Sequence, residues 1–271
     1  MSVQLPPYRP LRRRNGLKVM LAAIHALLMR ELQTRFGGYR LGYLWAPLEV
    51  FLQVSVYLVI FGALMHRILP GMEYSIFLLS GIIPYTMFNR IVTRSMGAVE
   101  ANRGLLMYRS VKHIDVIMAR GFLELIIYFF SFWLLISGII FFQDLSISLE
   151  SLDTLLWGWL GLFLFSLGLA LIIMVIGHFA GELTKIISIV FSLLYFLSGI
   201  MYSVHIIPQP YLDYLMYNPL IHVFESMRHA LAPTYPAYHV DMNYFIKWMV
   251  AVDFIGLLLY KAFENDFIRS R

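Results

Sequence analysis

Stretches of about 20 residues with almost no charge recur along this chain, a pattern that one water-soluble core cannot absorb. Each helical residue advances about 1.5 Å, so roughly 20 apolar residues carry a helix across a hydrocarbon layer about 30 Å thick. Of 271 residues, 60% are hydrophobic and 14% are charged. The windows predict an all-α polytopic membrane protein with six transmembrane helices, at about 44–65, 76–99, 122–142, 155–179, 186–202 and 245–263. Residues 1–43 read as an N-terminal segment with an amphipathic interfacial helix, 203–244 as a re-entrant region between the fifth and sixth spans, and 264–271 as a polar tail.

Leu17, Leu21, Ile24, Leu28 and Leu32 recur at helical spacing, while Lys18, His25 and Gln33 face elsewhere. That pattern predicts a helix lying along the membrane surface, its leucines in the acyl boundary and its arginines on acidic headgroups. A helix packed on a soluble partner fits the same pattern. Three arginines before an apolar run imitate a signal peptide, but Arg30-Glu31-Leu32 stands where a small-residue cleavage site belongs, so the segment is read as retained. Basic residues concentrate before the first span, in the loop 100–121 (Arg103, Arg109, Lys112, Arg120) and after Lys261, which places both termini in the cytoplasm. The chain has no cysteine, which excludes disulfides, thiolate nucleophiles and cysteine-ligated metals.

The second span turns polar after Phe88, with Asn89, Arg90, Thr93 and Arg94, so half of it cannot face lipid. Arg90 and Arg94 share one face with Thr86, Thr93 and Gly97 nearby. Two readings follow: a conduit lined by donors for anionic groups, or guanidinium groups snorkelling to headgroups. Glu49, Glu124 and Asp253 lie in other spans and read as interhelical partners, with proton relay as the alternative.

Asn218-Pro219 predicts a helix start, after which His222, Glu225 and His229 share a face at a spacing that suits a metal. The preferred reading makes Glu225 and Arg228 polar caps for a helix that dips into the bilayer. Trp157, Trp159, Tyr202, Tyr211, Tyr214 and Tyr217 fit interfacial belts. Aromatic faces also stack on sugars. Gly177 and Gly181 have the small-x-x-x-small spacing of close helix approach. No phosphate-binding G-x-x-x-x-G-K-[ST] string occurs, and Gly181-Glu182-Leu183-Thr184-Lys185 is wrongly spaced. Uphill transport would then need an ion gradient or a partner acting on the cytoplasmic loops 100–121 and 178–185.

The run Arg30-Glu31-Leu32-Gln33-Thr34-Arg35-Phe36, then Leu41-Gly42-Tyr43-Leu44-Trp45-Ala46-Pro47, resembles the start of type-2 ABC exporter permeases. Gly81-Ile82-Ile83-Pro84-Tyr85, Glu100-Ala101-Asn102-Arg103-Gly104-Leu105, Ile114-Asp115 through Ala119-Arg120, and Asn218-Pro219-Leu220 with Glu225 and Arg228 extend the likeness. Together they resemble the capsular polysaccharide exporters over essentially the whole chain. Gly38, Tyr39 and Arg40 stand where many wider-family members carry a serine, which favours that branch over O-antigen or teichoic acid exporters. Ser110 to His113 departs from relatives that often place a proline there.

The resemblance implies a homodimer joined to two ATP-binding-cassette ATPase subunits in a bacterial inner membrane, moving lipid-linked, anionic polysaccharide from cytoplasm to periplasm. It implies periplasmic co-polymerase-type and outer-membrane export partners, and no nucleic acid. This chain would carry no catalytic residue and bind no cofactor or metal, with ATP and Mg used by the partner ATPase. Glu100, Asn102, Arg103, Arg109 and His113 would lie on the main coupling helix, His178 and Glu182 on a second ATPase contact, and Arg30, Glu31 and Arg35 on the interfacial helix. Candidate cargo contacts are Trp45, Tyr85, Thr86, Arg90, Arg94 and Tyr202, and the re-entrant region supplies Asn218, Pro219, Glu225 and Arg228. Two other readings are a membrane-embedded glycan- or lipid-modifying transferase using His222, Glu225 and Asp241, and an exporter of small drugs or lipids.

Overall fold

The computed structural model describes residues 16–38, 42–65, 69, 71–102, 104, 111–145, 147–148 and 150–269. Those residues are helical, with no strand among them. Helix α1 (Gly16–Phe36) leads through a 3-10 turn (Gly42–Leu44) into α2 (Trp45–Met65). Then come α3 (Tyr74–Ser95), the one-turn α4 (Ala98–Ala101), α5 (His113–Gln143), α6 (Leu152–Phe179) and α7 (Leu183–Leu197). A second 3-10 turn (Val204–Ile206), α8 (Tyr211–Leu215), α9 (Pro219–Leu231) and α10 (Met242–Arg269) complete the order. Among the described residues, α3, α5, α6 and α10 (to Phe267) are long and apolar enough to cross a membrane, and α2 and α7 contribute the shorter apolar stretches Pro47–Ile60 and Leu183–Leu197. The chain is an all-helical polytopic membrane protein.

Helix α3 is the axis of the bundle, and its apolar first half is the part most deeply enclosed, with Asn89, Arg90, Thr93 and Arg94 half-buried. It packs against α2, α5, α6, α7 and α9, and every residue from Tyr74 to Phe88 is buried. Glu73 starts it, its carboxylate accepting from the backbone N–H of Tyr74 at 3.2 Å, which satisfies one of the donors a helix start leaves open. Ser80 and Thr86 return their hydroxyls to the carbonyls of Phe77 and Ile82, so the buried helix leaves neither hydroxyl idle.

Lipid is as apolar as leucine, so close backbone approach, more than hydrophobicity, holds such helices together. The α6–α10 seam shows it. A Cβ on Gly168 would run into the backbone of Asp253, and one on Gly256 into the carbonyl of Gly168. Gly158 and Gly161 likewise leave room for Met227 and the Phe245 ring. Of the predicted pair, Gly177 meets the backbone of Met96, joining the ends of α3 and α6, whereas Gly181, in the turn after α6, comes near only the Gly177 carbonyl, at 3.9 Å.

Several boundaries differ from expectation, among them the start of α5, at His113 and not at 122. The fifth helix ends at Leu197, short of 202, because Gly199 takes the left-handed conformation (φ +64) that closes helix ends. The second span stops at Ser95, and α4 follows as a separate turn. The tail expected at 264–271 continues α10 to Arg269, with Phe267 buried beneath the bundle.

Gly168→Ala and Gly256→Ala should each cost about 1–3 kcal/mol, the usual range for overpacking. Their combined effect should fall short of the sum, since one seam is wedged by either. Thermal melts of the purified protein in detergent test this, and unchanged melting in both variants would refute the seam.

Candidate functional site

Near the ends of α2 and α3 that adjoin α1, the charges of α1, α2, α3 and α5 are paired with one another. Glu124 of α5 accepts from Arg35 of α1 and Arg94 of α3, both at 2.8 Å and both on Oε1. Arg90 pairs with Glu49 of α2 and lies over the Tyr128 ring, 5.7 Å from its centroid. Arg30 donates to Asn102 at 2.8 Å, and Arg120 faces Glu31 at 3.4 Å. Pairing of this kind is what makes guanidinium groups affordable at membrane depth. Arg30 and Arg35, expected on headgroups, are therefore spent inside the protein. On the apolar side of α1, Ile24 and Leu27 bury against Val116 and Ala119 of α5, while Leu17 and Leu21 stay exposed.

Beside this network α2 and α7 both rest on α3, and each carries a polar stripe. On α2, Glu49, Gln53 and Tyr57 follow at i, i+4 and i+8. On α7, Thr184, Ser188, Ser192 and Tyr195 lie along one face at helical spacing. The two stripes meet where the rings of Tyr57 and Tyr195 come to 6.3 Å, with Tyr85 of α3 edge-on to Tyr195 at 5.1 Å. Each small hydroxyl on α7 donates to a carbonyl of the preceding turn and keeps its lone pairs for an outside donor. Phe191 is the only fully buried residue of α7; Ile186, Ile189, Val190, Leu193, Phe196 and Leu197 are exposed on its other flank.

At the other end of the bundle, Arg228 of α9 is entirely buried. It donates to Glu225 at 2.6 Å and to the carbonyls of Gly199 and Ile200 at 2.8 and 3.1 Å, closing the end of α7, and it lies over the Phe77 ring at 3.6 Å. Tyr235 donates to the second Glu225 oxygen at 2.9 Å, and His205 lies 3.5 Å from it. Asn218 caps α9 through Leu220 N–H and donates to the Leu197 carbonyl and the Ser198 hydroxyl, a second latch on the same helix end. Pro219 occupies the first turn of α9, where its missing N–H costs least.

The residues suited to a metal face different ways. His222 accepts from Asp241 N–H on Nδ1, so its Nε2–H donates to the Met216 carbonyl, and His229 bonds the Tyr235 carbonyl. No metal-capable cluster forms among the described residues. Asp241 accepts from the N–H groups of Asn243 and Tyr244 at the start of α10. The trio nominated for transferase chemistry is thus occupied in holding the fold.

Of the cargo candidates, Tyr85 and Thr86 are buried, with their hydroxyls on the carbonyls of Phe191 and Ile82. Arg90 and Arg94 are held in ion pairs, and Trp45 opens α2. Tyr202 instead joins Tyr211, Tyr214 and Asn218 around an open bowl of about 480 Å³ at the far end of α7. Of the coupling candidates, Glu100 is exposed on α4, Asn102 is buried on Arg30, His113 opens α5, His178 lies in the last turn of α6, and Glu182 is exposed just before α7. Arg103 and Arg109 lie outside the described residues. The hydroxyl stripe of α7 and the Glu49, Gln53 and Tyr57 stripe were missed in the sequence. Their i+4 spacing inside apolar windows was the available signal.

The chain matches the ABC-2 type transporter family over residues 22–232 and belongs to that family. It is 41% identical to the Escherichia coli polysialic acid transport protein KpsM over 95% of this chain and 99% of that protein. It is 27% identical to the Neisseria meningitidis capsule polysaccharide export inner-membrane protein CtrC over 79% of this chain and 80% of the other. To the Haemophilus influenzae protein BexB, of the same description, it is 25% identical over 93% and 95%.

Arg90→Gln should lower folded yield as well as any activity, because it strands Glu49. The swap Arg90→Glu with Glu49→Arg should recover much of the yield, and failure to recover it would argue against a mutual pair. Glu225→Gln leaves Arg228 buried beside a neutral partner and should cost about 3–5 kcal/mol. His205 is held above its ordinary pKa of 6.5 by hydrogen bonding to Glu225, against the opposing effect of burial. Its stabilising contribution is complete below 6.5 and is lost as pH rises through the raised value. The melting temperature should fall across that interval, and His205→Asn should flatten the dependence.

Proposed function

We propose that this chain is the membrane-spanning permease subunit of an ATP-driven exporter of capsular polysaccharide. The observation that carries this reading is its 41% identity, across nearly the full length of both chains, with a polysialic acid transport protein. The stripe along α7 supports it, since exposed hydroxyls set beside tyrosines suit a hydroxyl-rich polymer and would waste their polarity on lipid.

In this reading α2, α3, α5, α6, α7 and α10 are the six spans, α8 and α9 dip back from the outer face, and both termini lie in the cytoplasm. The polar stripes of α2 and α7 form one wall of a conduit whose other wall is a second copy of the chain. ATP is hydrolysed by two partner ATPase subunits seated on α4, the start of α5 and the turn between α6 and α7. Periplasmic and outer-membrane partners carry the polymer onward, and the cargo is lipid-linked. Arg90 and Arg94 act on anionic cargo through a paired, nearly neutral rim. A polymer that must slide is better served by that rim than by isolated cations that would bind it tightly.

Deleting the gene should leave capsule polymer trapped inside the cell, scored by surface immunolabelling against total polymer. Unchanged surface polymer would overturn the proposal. An ATP-binding subunit should co-purify with the chain; chemistry on a lipid-linked glycan by the purified chain alone would favour a transferase.

A further inference from the structure

The last turns of α10 read as a polar tail in the sequence, yet they contain one deeply buried ring. Phe267 is 1% exposed, in a run that otherwise reads Glu264-Asn265-Asp266. Its centroid lies 5.2 Å from the His113 ring and 5.0 Å from the His178 ring, and 6.5 and 6.4 Å from those of Phe179 and Tyr260. His113 opens α5 and so ends the first inner loop. His178 and Phe179 close α6 and so begin the second. One side chain therefore touches both loops, which lie far apart in sequence.

Neighbouring contacts reinforce the same junction. Phe263, one turn earlier, packs against Phe179 at 5.0 Å. Glu264 accepts from Lys112 at 3.1 Å, and the Lys112 backbone N–H donates to Asp115 at 2.9 Å, fixing the first turn of α5. Helix α10 in turn is locked along α6 at Gly168 and Gly256. The chain of packing runs from either loop, through Phe267, into the longest seam of the bundle.

We propose that Phe267 is a positioning residue that holds the two inner loops at a fixed separation, so that a push on either is delivered to α5, α6 and α10 as one body. Nothing in the polar character of this segment calls for an aromatic ring, and no other described side chain has ring contacts with both His113 and His178. Phe267 touches neither cargo nor nucleotide and works through the loops it braces. The proposal rests on the exporter reading, because it takes the loops to be where an ATPase pushes.

The test uses the chain co-purified with its ATPase and reconstituted in vesicles with polymer. Phe267→Ala should still bind the ATPase but hydrolyse severalfold more ATP per polymer exported, and Phe267→Tyr should restore the ratio. Phe267→Leu, which keeps bulk without the aromatic face, should fall between them and serves if the alanine variant does not fold. The chain has no cysteine, so spin labels at Val111→Cys and Ala180→Cys report the loop separation directly. That distance distribution should be narrow with Phe267, broad in the alanine and leucine variants, and narrow again with tyrosine. An unchanged ratio and distribution in folded Phe267→Leu, with the ATPase bound, would overturn the proposal alone. Failure of the native chain to bind any ATPase would overturn the exporter reading and this proposal with it.

Discussion

Glu124 has nowhere in hydrocarbon to put its charge, and the end of the bundle that holds it is arranged around that fact. Its carboxylate is almost wholly enclosed and draws a guanidinium from α1 and another from α3. Both arginines bond one oxygen, which pulls α1 and α3 towards the same point on α5. The neighbouring pairs, Arg90 with Glu49 and Arg120 with Glu31, then tie α2 and α1 into the same layer. Charges that would be liabilities one at a time become the register marks of the bundle, because each faces an opposite charge on a neighbouring helix. The same logic runs at the far end, where Glu225 is shared by Arg228, Tyr235 and His205.

The sequence reveals features governed by local physics. Hydropathy locates the long helices, Asn218-Pro219 marks the start of α9, and the resemblance at Arg30 to Pro47 agrees with the family match. What depends on long-range pairing stays hidden. Arg35 and Glu124 are 89 residues apart, and Arg30 and Asn102 are 72 apart. No periodicity connects them. His222, Glu225 and His229 do share a helix, yet their side chains leave it towards Met216, Arg228 and Tyr235, so a common helical face did not mean a common target. Phe267 escaped notice because a lone aromatic in a charged segment carries no periodic signal.

The polar groups also differ in kind along the bundle. At the Glu49 and Arg90 end they are paired charges, along one face of α7 they are hydroxyls, and at the opposite end they are the tyrosines of the bowl around Tyr202. Between the two ends the rings of Tyr57, Tyr85 and Tyr195 come together.

The scant seating of α7 has a mechanical meaning. One residue, Phe191, is all of it that is buried within the chain, while Asn218 and Arg228 clasp its C-terminal end and the Tyr85 hydroxyl holds its middle through the Phe191 carbonyl. A helix gripped at its end and its middle, and bare along one flank, is least restrained at its N-terminal end, and a load against that flank would deflect it most there.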